Sequence, residues 1–198
     1  MSSSLYAAPS KPSALAVPDA RAVVGQPAPD FMLTGVDGQA LSLSEFRGKT
    51  VVLEWFNPDC PFVKLAHGEG PLPAIAKRHL KKGGVWLAIN SGAPGKQGHG
   101  ARRNLKALGE YGMSYPILLD ASGAVGRAYG ATNTPQVYIV DAKGILVYAG
   151  AIDDTGGGGY DRGPFVNYLR KSLESVSNGQ KPGVTATKPW GCSVKYSN

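Results

Sequence analysis

The segment Thr50-Val51-Val52-Leu53-Glu54-Trp55-Phe56-Asn57-Pro58-Asp59-Cys60-Pro61-Phe62-Val63-Lys64 sets the fold. Its first half is a nearly continuous apolar run rich in β-branched and aromatic residues, the pattern of a strand buried on both faces. Its second half begins with a short turn, Asn57-Pro58-Asp59, and continues into Cys60 and Pro61. Proline suits the first position of a helix, where the backbone N–H it lacks would be unpaired anyway. The stretch therefore reads as strand, turn and helix, with Cys60 at or just before the first helical turn. Free N–H groups and the helix dipole favour an anion there, so a thiolate is stabilised relative to the thiol. Lys64, one turn on, adds positive potential, while Asp59 opposes it. The alternative is an inert buried thiol; the place of Cys60 at the carboxyl end of a central strand, where open α/β sheets keep their sites, favours a reactive one.

Working outward, further strand-like runs occupy Val85 to Ile89, Tyr115 to Leu119, Val137 to Val140 and Ile145 to Tyr148. Helical patterns fall between and after them, at Leu72 to Leu80, Arg102 to Tyr111, Ala124 to Tyr129 and Phe165 to Val176. Alternating strands and helices predict an α/β fold with parallel pairs in a central sheet, covered on both faces. The last two strands are joined only by Asp141-Ala142-Lys143-Gly144, too short for a crossover, so they form an antiparallel hairpin and the sheet is mixed. Upstream, Phe31-Met32-Leu33 and Leu41-Ser42-Leu43 flank Asp37-Gly38 and predict an N-terminal β-hairpin extension. The Ser-, Ala- and Pro-rich segment 1–22 has no continuous apolar stretch and reads as a disordered or processed lead-in. Residues 23–178 form one domain, and 179–198 a tail that carries the second cysteine.

The 198 residues include 21 Lys and Arg against 14 Asp and Glu, a formal charge of +7, and only two cysteines. Two cysteines cannot make a disulfide scaffold and are too few for a four-ligand zinc site without histidines. No apolar run approaches the ~20 residues of a membrane-spanning helix. The basic residues are scattered. Lys77, Arg78, Lys81 and Lys82, and again Arg102, Arg103 and Lys106, alternate with apolar residues at helical spacing and read as solvated helix faces. Without interleaved stacking aromatics or a binding motif they do not predict nucleic acid as a partner.

The run Val51 to Lys64 resembles the active-site segment of thioredoxin-fold redox proteins. Tyr129-Gly130-Ala131-Thr132-Asn133-Thr134-Pro135-Gln136-Val137-Tyr138-Ile139-Val140-Asp141 resembles that fold's cis-proline loop and following hairpin. Val24-Gly25-Gln26-Pro27-Ala28-Pro29-Asp30-Phe31 is similar to the opening of the redoxin branch, which includes peroxiredoxins and thiol-disulfide proteins. Asn57 to Lys64 together with Gly191-Cys192-Ser193-Val194-Lys195-Tyr196 resembles a peroxiredoxin-like, thioredoxin-family subgroup whose chemistry is poorly defined. The resemblance implies a thioredoxin-like fold and a thiol-disulfide oxidoreductase or thiol peroxidase, with Cys60 as nucleophile and no cofactor. It also implies that Thr134 and Pro135 hold an extended substrate segment beside Cys60, with Asn57 and Pro61 lining the site.

Two departures matter. Thioredoxin-type enzymes have a second cysteine three residues after the first, and here that residue is Val63. Peroxiredoxins place a threonine three residues before the nucleophile and an arginine against it; here Asn57 holds the first position and no arginine is evident at the second. Asn57 still donates and accepts hydrogen bonds, so peroxide binding is weakened rather than excluded.

Glu54 lies in an otherwise apolar strand, where an unpaired carboxylate is costly. Thioredoxins carry an acid at the matching position, which makes Glu54 a candidate proton donor and acceptor; the alternative is a glutamate reaching solvent or an ion pair near the strand end. His67, the histidine nearest Cys60 in sequence, reads as part of a Gly-flanked loop. For Cys192, Gly191 and its polar neighbours allow the tail to reach Cys60, where Cys192 would act as resolving thiol, within one chain or across a dimer. A static Cys60–Cys192 disulfide in a non-catalytic binding module is a second reading, and an unrelated tail thiol a third. A soft-metal site for Cu(I), made by the two cysteines and His67, is a further alternative. The expected partners are a protein disulfide or a peroxide and an external thiol reductant. A working disulfide leans towards an extracytoplasmic (periplasmic) location, with the cytoplasm as the alternative, since peroxiredoxin-type cysteines work there too.

Overall fold

The computed structural model describes residues 21–197. Most of the lead-in expected at 1–22 lies outside the described residues, although the Ala22 N–H already bonds the Ala128 carbonyl. In chain order the elements are β1 (Met32–Gly35), β2 (Ala40–Ser42), β3 (Val51–Trp55), α1 (Pro61–Gly68), α2 (Leu72–Lys81), β4 (Val85–Asn90) and α3 (Ala101–Glu110). They continue with β5 (Ile117–Leu119), α4 (Ala124–Tyr129), β6 (Asn133–Thr134), β7 (Gln136–Val140), β8 (Leu146–Gly150), α5 (Tyr168–Ser177) and β9 (Cys192–Ser193).

Seven strands form one sheet in the order β2-β1-β5-β4-β3-β7-β8. β3 runs parallel to β4, and β4 to β5, while β3–β7, β7–β8, β1–β5 and β1–β2 are antiparallel. This is the mixed sheet of a thioredoxin-like fold with the N-terminal hairpin added at one edge, as the sequence predicts. The central strand β3 is buried at all five positions. Its alternate side chains enter two cores: Val52 faces α1, α2, α3 and α5, while Val51, Leu53 and Trp55 face α4 and the N-terminal segment. The period-two alternation of a strand thus requires an apolar residue at almost every position, and the single exception is Glu54.

The last helix begins at Tyr168, three residues later than its apolar pattern predicts. Asn167 caps it by accepting the Arg170 N–H at 2.7 Å, and Phe165 instead packs edge-on against Tyr160. The helix after Cys60 continues through His67, so that histidine is helical and buried rather than part of a loop. Among the described residues no helix is long and apolar enough to cross a membrane.

Residues 179–197 carry Cys192 to the site, as one of the expectations for the tail had it. They run back over the site as a strap. Ala149 is bridged to Ala186, and the Thr187 hydroxyl meets Tyr148 Oη and accepts the Ala151 N–H. β9 then pairs antiparallel with β6, setting Thr134 opposite Cys192. Beyond it, the Val194 N–H bonds the Thr132 carbonyl, the Lys195 carbonyl accepts from Ala93, and Arg127 sits 4.5 Å over the Tyr196 ring.

Candidate active site

Cys60 is the N-cap of α1 and has no exposed surface. Pro61 occupies the first helical position, as predicted. The turn that delivers the cysteine is fastened from several sides. Asn57 Oδ1 accepts the Asp59 N–H at 2.9 Å, and its amide nitrogen points to the Gln97 carbonyl at 3.3 Å. Arg103 grips the Asp59 carboxylate at 2.8 Å and also reaches the Pro58 carbonyl, which accepts Tyr111 Oη at 2.8 Å as well. Arg103 is therefore not the solvated residue its helical spacing suggests. It neutralises the acid beside Cys60 and fixes the turn. Asn57, expected to hold substrate, also builds that turn, through its Oδ1 and one N–H of its amide.

Thr134-Pro135 is a cis peptide, and the Thr134 carbonyl lies 3.1 Å from the Cys60 sulfur, in position to accept from the thiol. The Thr134 hydroxyl is buried without a hydrogen-bond partner. Cys192 comes from the other side: its sulfur is 2.7 Å from that of Cys60, and both are free thiols. Residues 132 positions apart are thus in contact, and disulfide formation at a bond length of ~2.05 Å requires sub-ångström movement of the sulfurs. Burial, and next the adjoining Cys60, push the Cys192 thiol up to about 11, with Lys195 and the Phe62 N–H pulling the other way. Cys192 is consequently protonated at neutral pH, with about one thiolate per thousand molecules at pH 8. Iodoacetamide labelling of Cys192 in the reduced protein is expected to rise about tenfold per pH unit from pH 8 towards 11, as followed by peptide mass spectrometry. A plateau below pH 9 would contradict this.

The strap is locked by its sequence. Trp190 is buried, donates Nε1–H to the Asp153 carbonyl at 3.0 Å and packs against Phe62. Gly191 has φ +116°, and a Cβ there would collide with the carbonyl group of Thr134. Its own carbonyl accepts from Asn133 Nδ2 at 2.9 Å. Glycine is required on both counts: the conformation is closed to L side chains, and the two strands touch at this point. Gly191→Ala is expected to lift Cys192 from Cys60 and to lower the yield of the Cys60–Cys192 disulfide under oxidant about tenfold, read by peptide mapping.

Glu54 is fully buried and does not reach solvent. Its Oε1 is 2.7 Å from His67 Nε2, and its Oε2 accepts from Trp86 Nε1 at 2.9 Å, with Tyr115 Oη farther off at 3.4 Å. Burial, with the Glu54 carboxyl alongside, raises the Tyr115 phenol well above its ordinary range and so keeps it protonated as a donor. The His67 ring packs against Phe56 and Tyr111, which also meet each other edge-on. Because His67 points to Glu54, it is not brought to the two sulfurs, and the Cu(I) triad is not assembled. Among the described residues no group of three or more His, Cys, Asp or Glu is arranged to hold a metal ion. Arg103, Tyr111 and Trp190 complete the site and were not evident from the sequence; an unpaired acid in the turn and a tryptophan two residues before Cys192 were the signals for them.

A family model described as Redoxin matches residues 23–162. The chain is 31% identical over 123 residues to the thiol-disulfide oxidoreductase ResA of Geobacillus thermodenitrificans, an alignment covering 61% of this chain and 65% of that protein. The match thus spans less than two thirds of that relative. A hypothetical protein from Sinorhizobium meliloti superposes with a TM-score of 0.77 at 30% identity, covering 88% of this chain and 95% of the other. The thioredoxin domain of a thiol-disulfide oxidoreductase from Bacteroides vulgatus shares the fold, with a TM-score of 0.52 at 21% identity over 64% of this chain and 87% of that one.

Proposed function

The chain belongs to the Redoxin family, and from that premise we propose that it is a thiol-disulfide oxidoreductase with Cys60 as nucleophile and Cys192 as resolving thiol of the same chain. The contact of the two sulfurs at the N-terminus of α1, beside Thr134, carries this reading. The Cys60 thiolate attacks one sulfur of a partner disulfide R–S–S–R′, forming Cys60–S–S–R and releasing R′–S⁻. Cys192 gives up its proton and attacks the Cys60 sulfur, releasing R–S⁻ and closing Cys60–S–S–Cys192. The partner disulfide gains two electrons and the protein loses two.

Cys60 is sealed while the strap is closed, so a protein partner reaches it only when β9 leaves β6. The same edge of β6 would then hold the incoming segment, the role proposed for Thr134 and Pro135. With Asn57 Oδ1 and one of its amide N–H groups engaged in its own turn, where peroxiredoxins have a threonine, a disulfide is favoured over a peroxide as the oxidant. Glu54 is proposed to pass protons only through the His67 contact, as it has no solvent path of its own.

The test is reduction of a disulfide-bonded protein such as insulin by the reduced chain, with peptide mapping of the oxidised product. The expected product is a Cys60–Cys192 crosslink formed in step with insulin thiols. Cys192→Ser is expected to slow turnover about 10- to 100-fold and to accumulate a mixed disulfide on Cys60. Turnover without any change in the redox state of Cys60 would overturn the proposal.

A further inference from the structure

Once oxidised, the pair must be reopened by an incoming thiolate, and the two sulfurs do not offer themselves equally. Cys60 has no exposed surface, and its side chain belongs to the core formed with Phe56, Val63, Ala66 and Trp190. Cys192 retains part of its surface in contact with solvent. The strap is held on both sides of Cys192, by Thr187 and Trp190 before it and by Val194 and Tyr196 after it. A closed disulfide adds a covalent staple, so the oxidised form is the one in which the strap is least free to lift.

Thiol-disulfide exchange needs the attacking thiolate, the attacked sulfur and the leaving sulfur in line. Attack on Cys60 would require a path through the core. Attack on Cys192 comes from solvent and expels Cys60, whose negative charge develops at the N-cap of α1, where the helix dipole favours it. Lys195 adds positive potential at the attacked sulfur.

The size of the reductant follows from β9. Its backbone is already paired with β6, at the edge where an extended protein segment would bind, and Trp190 and Tyr196 hold the flanking residues down. A protein reductant that must grasp the chain around Cys192 finds it immobilised.

Resting on the dithiol reading above, we propose that the oxidised protein is reopened at Cys192, by a low-molecular-weight thiol rather than by a thioredoxin-type protein. A thiolate R–S⁻ bonds to the Cys192 sulfur as the Cys60–Cys192 bond breaks. The bonding pair stays on Cys60, which takes a proton from solvent. A second R–SH, losing its proton, attacks the R sulfur and releases R–S–S–R. Cys192 leaves as thiolate and is protonated. Two small thiols are oxidised as one protein disulfide is reduced.

The experiment uses full-length protein oxidised beforehand and mapped for the Cys60–Cys192 peptide. It is mixed with millimolar glutathione, quenched in acid at timed intervals, denatured, alkylated with iodoacetamide and analysed by mass spectrometry. The expected transient carries glutathione on Cys192 and the alkyl group on Cys60, exceeding the reverse arrangement at least about tenfold. Equal or reversed labelling would overturn the order of attack. A parallel arm uses a thioredoxin whose second active-site cysteine is serine. Its covalent capture at Cys192, faster than glutathione by tenfold or more at equal concentration, would overturn the assignment to small thiols. If the oxidised protein yields no Cys60–Cys192 peptide, the dithiol reading itself fails, and this proposal with it.

Discussion

Cys60→Ser is expected to lower disulfide-reducing turnover by at least about 10³-fold while leaving the fold intact. The exchange reaction uses the thiolate, and a serine hydroxyl is not ionised near neutral pH, so removing the sulfur removes the bond-forming atom itself. Stability responds little. Serine is slightly smaller than cysteine, and its hydroxyl retains the Thr134 carbonyl as a hydrogen-bond acceptor, the partner the thiol now has at 3.1 Å. The effects therefore separate: a thermal midpoint close to that of wild type, with activity at background. Far-ultraviolet circular dichroism and insulin reduction on the same preparation check both. A turnover within tenfold of wild type would remove Cys60 from the chemistry whatever the fold resemblance suggests.

Much of this arrangement is legible in the chain because the central strand is an extreme case. An apolar run such as Val51 to Phe56 can be satisfied only between two covered faces, and the turn residues after it leave one way to continue. The hairpin at Asp141–Gly144 is legible from loop length alone. What escapes is pairing over distance. Arg103 looks like its solvated neighbours because helical spacing cannot distinguish a wet position from one that meets an acid on another loop; Asp59 is that acid. The two-residue strand β9 has no pattern to detect, since its place depends on Gly191 passing against the Thr134 carbonyl and on Trp190 finding a pocket at Phe62. His67 is an intermediate case. With Val63 and Ala66 buried on α1, the position four residues after Val63 falls on the same inward face, and a glutamate in a buried strand needs a partner. The two facts together would have joined the residues.

That buried pair leads to the second large effect. His67→Leu is expected to destabilise the protein by about 1–3 kcal/mol, because removing one partner of a buried hydrogen bond leaves the other unsatisfied. Glu54 would keep the Trp86 N–H on one oxygen but lose the 2.7 Å contact on the other, at a position with no exposed surface. At roughly 2–4 °C per kcal/mol for a chain of this size, the midpoint falls by about 2–12 °C. The double substitution Glu54→Leu with His67→Leu separates the cost of an unpaired buried polar group from the loss of packing. Replacing both partners of a buried hydrogen bond by apolar side chains of similar shape can be nearly neutral, so the double variant is expected to recover most of the loss. A double variant as unstable as the sum of the two single ones would mean that the contact with Glu54 is not what His67 contributes. Thermal or urea unfolding of the four proteins completes the cycle. Insulin reduction on the same four then tests the proton role proposed for Glu54: if it acts through His67, the recovered double variant regains stability but not turnover.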